Sequence, residues 1–319
     1  MNNDKFRWAF LAHLGYNMWA DPVMDKWGVP GLPQELTEVS AERCLRFDRA
    51  LFREEMKKLA DAGMNTLVLD LGEGIQYESH PEIACEGAFS KEEIRKEIAL
   101  LGEWGIEVIP KLNFSACHDE WMGEYGRMLS TTPYYRFCED ILAEVCELFD
   151  HPKLFHLGMD EETPGHQARY NMMIVRQGEL WWHDFNFLRD ALLRRGVRPW
   201  IWSDYVWNHE EEFLKKMSKD VMQTNWYYDL FKGEDNVYIR AYDVLDKNGF
   251  DQIPASSVWS NVESFEETVE TLTPALDPAL LKGFMQTVWR PMTEKFRDRQ
   301  ELGLATFKRA KAWYDGRED

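Results

Sequence analysis

RCLRFDRALFREEMKKLADAGMNTLVLDL, residues 43–71, carries one complete helix-then-strand unit of the chain. Its first part, Arg43–Ala62, sets Leu45, Leu51, Phe52, Met56 and Leu59 on one stripe, the spacing of an amphipathic helix, and Gly63 supplies the stop. Asn65–Leu71 then follows as a short apolar run of strand length. A helix that must bury one face and a strand apolar on both sides together imply a parallel sheet joined by crossover helices. The same alternation recurs from end to end.

Working outward, the strand candidates are Trp8–Leu14, Asn65–Leu71, Glu107–Phe114, Leu154–Met159, Pro199–Trp202, Val221–Trp226, Gln252–Trp259 and Gly283–Trp289. Between them lie helical segments. One starts at Ser90 with Glu93 three residues on, a capping box. Others fall at Tyr134–Phe149, Glu179–Arg195, His209–Lys219, Val237–Lys247, Phe265–Thr271 and Glu294–Tyr314. Eight strands with eight helices is the count of a (β/α)8 TIM barrel, an α/β fold. No G-x-G-x-x-G turn follows the first strand, which disfavours a doubly wound dinucleotide-binding sheet. No linker or composition shift divides the chain, so residues 1–319 are expected to form a single TIM-barrel catalytic domain.

With 319 residues and 45% hydrophobic side chains, the chain can bury a substantial core. Its net charge of −19 disfavours nucleic acid and anionic membranes, whose recognition needs clustered Lys and Arg. A neutral or cationic small molecule suits it better. The five cysteines are odd in number and contain no C-x-x-C pair, so neither a disulfide framework nor a zinc knuckle is expected. With neither a secretory leader pattern nor a long apolar run, the expected location is the cytoplasm. No cofactor is expected, and a dimer is one oligomeric option that the sequence leaves open. The 14 tryptophans and 12 tyrosines exceed what a core needs, and rings of this kind stack on the C–H faces of sugars.

In a TIM barrel the active site is built at the C-terminal strand ends. The polar and aromatic residues there are His13, Tyr16, Asn17, Trp19 and Asp21 after strand one, and Asp70, Glu73, Gln76 and Tyr77 after strand two. Asn113 and His118 follow strand three, and His156, Asp160, Glu161 and Glu162 follow strand four. Trp202, Asp204, Trp226, Tyr227, Tyr228, Asp229, Trp259, Glu263, Trp289 and Arg290 complete the ring. Carboxylates, amides and rings are what glycosidic hydrolysis requires. In Leu154-Phe155-His156-Leu157-Gly158-Met159-Asp160-Glu161-Glu162 an apolar strand runs straight into three acids, which is costly unless the acids have partners or work. Burial and repulsion are expected to split the pKa values of this group and leave one acid protonated near neutrality. Neighbours on a strand face opposite ways, so Asp160 and Glu161 share a site only if the backbone turns at Met159–Glu161.

His156-Leu157-Gly158-Met159-Asp160-Glu161 resembles the H-x-G-G-D-E motif of glycoside hydrolase family 20, the β-N-acetylhexosaminidases, with Met159 at the second glycine. Val108-Ile109-Pro110-Lys111-Leu112-Asn113 is similar to that family's V-I-P-E-x-D, and His118 falls one position after its P-G-H histidine. The resemblance implies that Glu161 is the general acid/base. It implies that Asp160 orients the substrate's 2-acetamido group, whose carbonyl oxygen attacks the anomeric carbon to form an oxazolinium. It also implies that Tyr227 or Tyr228 holds that acetamido and that Trp202, Trp226 and Trp289 line the cleft, while His13, Asn113, His118, His156, Asp204 and Trp259 join them as substrate-binding candidates. Three departures stand out. His13-Leu14-Gly15-Tyr16-Asn17 replaces the family's arginine-bearing first strand, Trp289-Arg290-Pro291 replaces its W-x-E, and its usual N-terminal extra domain is not seen. The identity of the sugar is therefore left open.

Two other readings use the same residues. A retaining glycosidase would pair Glu161 with Glu263 as nucleophile, about 5–5.5 Å apart. A metal-dependent enzyme would draw on His13, His118, His156, Asp160 and Glu161, although no H-x-H or H-E-x-x-H spacing supports it. A non-catalytic sugar-binding barrel is the third alternative.

Overall fold

Successive residues of each strand face opposite ways, and nearly all are buried, one set inside a barrel and the other beneath a coat of helices. The computed structural model describes residues 5–18, 40–168, 170, 172–233 and 235–317. Its strands are β1 (Arg7–His13), β2 (Thr66–Asp70), β3 (Glu107–Lys111), β4 (Leu154–His156), β5 (Arg198–Trp202), β6 (Met222–Thr224), β7 (Ala255–Ser257) and β8 (Gly283–Thr287). All neighbouring pairs are parallel, in the order β6-β5-β4-β3-β2-β1-β8-β7. Parallel bridges Gln223↔Gln252 and Trp226↔Ala255 join β6 to β7 and close the (β/α)8 barrel.

In β1 the odd residues Ala9 and Leu11 face inward with Val68, Ile109, Trp200 and Met285, whereas Trp8, Phe10 and Ala12 pack outward under the helices. The helices are α1 (Arg49–Asp61), α2 (Lys91–Glu103), α3 (Thr132–Leu148), α4 (Glu179–Leu193), α5 (Tyr205–Lys216), α6 (Val237–Lys247), α7 (Ser264–Ala275) and α8 (Arg297–Asp315). Leu51, Phe52, Met56 and Leu59 form the buried stripe of α1, as the periodicity requires. That helix begins six residues later than Arg43, because the Asp48 side chain accepts hydrogen bonds from the amides of Ala50 and Leu51 and caps it there. The Ser90–Glu93 capping box is formed at α2. α5 begins at Tyr205, ahead of the expected His209, which instead marks a kink within it (φ −135°, ψ 38°).

The strand register aligns a buried polar layer across the barrel: His13↔Asp70, Asp70↔Lys111 and Lys111↔His156. All four residues are buried. Lys111 is ion-paired with Asp70, and His13 Nδ1 lies 3.4 Å from the same carboxylate. Isolated charges at such depth would be costly, and this pairing is what makes them tolerable. The layer lies one residue step below the mouth.

Candidate active site

The chain leaves β4 through backbone that glycine usually takes: φ is +71° at Gly158, +75° at Met159 and +56° at Glu161. This is the turn that two adjacent acids need in order to share one site. Gly158 has no alternative, because a Cβ there would sit 2.0 Å from Asn113 Oδ1. That same oxygen accepts from the amides of Met159 (3.2 Å) and Ser115 (3.1 Å). Trp202 N donates to the Gly158 carbonyl (3.0 Å), and Glu161 N donates to Asp204 Oδ2 (2.9 Å). The loop is therefore pinned from both neighbouring strands.

Asn113 Nδ2 donates to Asp160 Oδ1 (2.7 Å), and His118 Nε2 lies 3.3 Å from Asp160 Oδ2. His118 Nε2 is also 3.3 Å from Glu161 Oε2, and His166 Nε2 is 3.4 Å from Glu161 Oε1. Asp160 is buried, whereas Glu161 keeps 23% of its side chain exposed. Glu162 turns away. It receives Arg176 at 2.6 Å and the Ala116 amide at 3.1 Å, and so has a structural partner.

These contacts set the proton inventory. Burial opposes charge on His118, but attraction to Asp160 and hydrogen bonds to both acids outweigh it and hold its pKa at about 10. Burial pushes Glu161 up, but hydrogen bonds from His118 and His166 pull it down to about 2. Asp160 is likewise held below the usual carboxylate range against its burial, by the His118 charge. The expected split within the Asp160–Glu161 pair is thus corrected, because two imidazoles neutralise both acids. Beside the pair the raised acid is Asp204, pushed to about 8 by burial and by the nearby Asp160 charge, while Glu73 and Asp119 are raised by burial away from it.

A cleft of about 370 Å³ opens over the pair, a size suited to a small ligand. Among the expected residues, Asp160, Glu161, His118, Trp226, Tyr228, Trp259 and Trp289 line it. Trp226 and Tyr228 stack (centroids 4.9 Å), and Trp289 Nε1 donates to Tyr228 Oη at 3.0 Å. Tyr227 points the other way, onto Phe231 and Tyr238. Asn113 and Asp204 stand behind the turn. Trp202 is buried against His156 and Trp289 (centroids 4.8 and 5.7 Å). His13 and His156 belong to the layer below, and Gly158 N donates to His156 Nδ1 (3.0 Å), which leaves the proton on Nε2. Asp70 and Glu73 are structural too, with Glu73 Oε1 accepting from Tyr16 N at 2.8 Å. Trp19 and Asp21 lie outside the described residues.

Glu263 is exposed at the start of α7 and does not line the cleft, so this geometry gives it no place as a nucleophile beside Glu161. The five-residue metal set is not assembled either, since His13 and His156 lie below the cleft floor. Sequence reading missed Cys117, His166, Tyr170 and Ser260, which also line the cleft. His166 had one available signal: Thr163-x-x-His166 directly follows the acids, and Thr163 Oγ1 sits 2.8 Å from His166 Nδ1. Among the described residues no helix is long and apolar enough to cross a membrane.

No family model and no curated protein matches the sequence. Solved structures do. A β-N-acetylhexosaminidase from Bacteroides fragilis is 16% identical with a TM-score of 0.64, over 96% of this chain and 65% of that one. A family 20 exo-β-N-acetylglucosaminidase from Vibrio harveyi, solved with N-acetylglucosamine, is 18% identical with a TM-score of 0.59, over 82% of this chain and 52% of that one. A Flavobacterium johnsoniae chitobiase is 18% identical with a TM-score of 0.63, over 83% of this chain and 46% of that one. The chain thus spans about half to two thirds of the length of these structures. What it shares with them at such identities is the barrel, and the fold is that of the family 20 β-N-acetylhexosaminidases.

Proposed function

We propose that this chain is a divergent family 20 glycoside hydrolase, a β-N-acetylhexosaminidase-like enzyme that acts with retention through the substrate's own acetamido group. The observation that carries the reading is the turn after β4, which brings Asp160 and Glu161 into one aromatic-walled cleft with His118 against both. Glu161 is the more exposed acid and protonates the leaving oxygen. Ionised at rest, it takes that proton from His118 or His166, each within 3.4 Å of a carboxylate oxygen, and passes it on. Asp160 stays ionised, fixed by Asn113 and His118, and orients and stabilises the acetamido N–H as the carbonyl oxygen attacks the anomeric carbon. Tyr228, aligned by Trp289 Nε1, holds the other side of that group. Trp226, Trp259 and Trp289 provide the sugar platform, and the buried Trp226 Nε1 has no protein partner among the described residues. The similar structures, a β-N-acetylhexosaminidase, an exo-β-N-acetylglucosaminidase solved with N-acetylglucosamine and a chitobiase, support a glycoside hydrolase of this kind. The ligand is a small carbohydrate, an oligosaccharide or glycoside attacked from its end.

Glu161→Gln and Asp160→Asn are each expected to lower kcat by about 10²–10⁴ on an aryl 2-acetamido-2-deoxy-β-glycoside. The native chain should cleave that compound and leave its 2-hydroxy counterpart intact. Equal rates on both would sink substrate assistance while sparing hydrolysis, and unchanged turnover in Glu161→Gln would sink the assignment of the acid.

A further inference from the structure

The cleft wall holds a donor set of which hydrolysis uses His118 and Glu161 but leaves Cys117 without a role. Cys117, a free and buried cysteine, lines the cleft beside His118 and Glu161. One ligand atom from each of the three, a sulfur, a ring nitrogen and a carboxylate oxygen, lies within 4.8 Å of the others. His118 and Glu161 are already 3.3 Å apart. At tetrahedral bond lengths of about 2.0–2.3 Å, ligand atoms around zinc stand roughly 3.5 Å apart, so small side-chain rotations close the set. His166 Nε2, 3.4 Å from Glu161 Oε1, stands at the rim of the same group.

We propose that Cys117, His118 and Glu161 form a binding site for a thiophilic divalent cation, of the class of Zn²⁺ and Cd²⁺, which acts as a reversible inhibitor. The thiolate selects soft and borderline ions, and Mg²⁺ or Ca²⁺, which prefer all-oxygen shells, are excluded. Three protein ligands leave a fourth position for water. Binding replaces protons: the Cys117 thiol loses one and the His118 imidazolium another, both released to solvent, as the metal forms bonds to sulfur and nitrogen. The net charge of −19 and the two cleft acids draw cations to this mouth. With its oxygen on the metal, Glu161 has no proton to give. That inhibitory consequence rests on Glu161 being the general acid, whereas the binding itself does not.

The test uses the full chain, freed of metal, titrated with Cd²⁺ while the ultraviolet thiolate-to-cadmium charge-transfer band is followed. A saturable phase of one equivalent is expected. It should vanish in Cys117→Ser and persist in Cys44→Ser and Cys85→Ser, and added Zn²⁺ should displace it. Glu161→Gln, whose folding is checked by circular dichroism, should weaken Cd²⁺ by about 10–100-fold, the range reported for loss of even outer contacts to a metal. No band in the native chain, or a band retained in Cys117→Ser, overturns the site, and unchanged affinity in Glu161→Gln overturns the ligand set. Zn²⁺ should also stop aryl glycoside hydrolysis, reversibly by chelator, with the half-inhibitory concentration at least 10-fold higher in Cys117→Ser, by the same range. A rate unmoved at saturating Zn²⁺ overturns the inhibition. If no glycoside is hydrolysed at all, the proposed activity fails, and the Cd²⁺ titration still decides the site.

Discussion

Asp204 stands behind the cleft wall and is the acid that keeps its proton to about pH 8, while its Oδ2 accepts the Glu161 amide. Its folded-state pKa lies above the unfolded value of about 3.9, so between pH 4 and 8 the native state binds more protons than the unfolded chain and loses relative stability as pH rises. Asp204→Asn keeps an oxygen acceptor for Glu161 and removes the titration. Its Tm relative to the native chain should therefore climb from pH 5 to pH 9, and a constant offset would exclude this account. His118 works with the opposite charge. Its pKa of about 10 means that the ion-pair contribution is complete below pH 6.5 and is lost as pH rises through 10. Without it, Asp160 and Glu161 lose the cation that offsets their burial. His118→Ala should move the acidic limb of kcat/KM upward by about 1–3 pH units, the usual effect of one adjacent opposite charge. A limb that stays in place while kcat falls would restrict His118 to positioning.

At the scale of elements, the site depends on how β4 ends. Positive φ at Gly158 and Met159 turns the chain so that Asp160 and Glu161 reach one cleft, and Asn113 Oδ1 holds the turn from β3's extension. Gly158→Ala places a Cβ 2.0 Å from that oxygen in a left-handed backbone. Asn113 must move, so both the Met159 amide and Asp160 lose a partner. We expect about 2–5 kcal/mol of lost stability, the sum of roughly 1–2 for left-handed alanine and 1–3 for unpaired buried polar groups, read by urea denaturation. Activity should fall further than in a mutant equally destabilised elsewhere. The need for this turn was legible in the sequence, because strand parity forbids adjacent acids from facing one way. By the same parity His13 and His156 face inward with Leu11 and Leu154. It carried no information about depth: the register puts them in line with Asp70 and Lys111, one layer beneath the floor. Trp202, next to Trp289, is hidden for the same reason. Cys117 and His166 went unread because they sit on loops without a period, where a side chain's direction depends on contacts such as Thr163 Oγ1 to His166 that no spacing rule contains.

At the scale of the whole molecule, the recurrence of the helix-then-strand unit of residues 43–71 along the chain was enough to count the barrel, yet not to say how evenly it is closed. β1 shares five register pairs with β2 and five with β8, whereas β6 and β7 meet outside a regular ladder, through the bridges Gln223↔Gln252 and Trp226↔Ala255 and backbone hydrogen bonds from the amides of Gln223, Ile253 and Ala255 to the carbonyls of Asp251, Gln223 and Asn225. Both strands are three residues long, and the Tyr227 amide reaches the Ala255 carbonyl at 3.4 Å. Each backbone hydrogen bond contributes about 0.5–1.5 kcal/mol of net support, and with two register pairs against the five on either side of β1 the seam is expected to open at lower cost than the β8-β1-β2 sheet. The seam lies under Trp226 and Tyr228, the ring pair of the cleft, and a ligand stacked on them binds the closed barrel and not the opened one. Native-state hydrogen exchange should accordingly show Gln223, Ile253, Ala255 and Tyr227 exchanging before the β1 and β2 amides. A bound 2-acetamido sugar should slow that group selectively. Uniform protection around the barrel, or ligand protection spread equally over β1 and β2, would show that closure is cooperative and that the aromatic wall is not its weakest part.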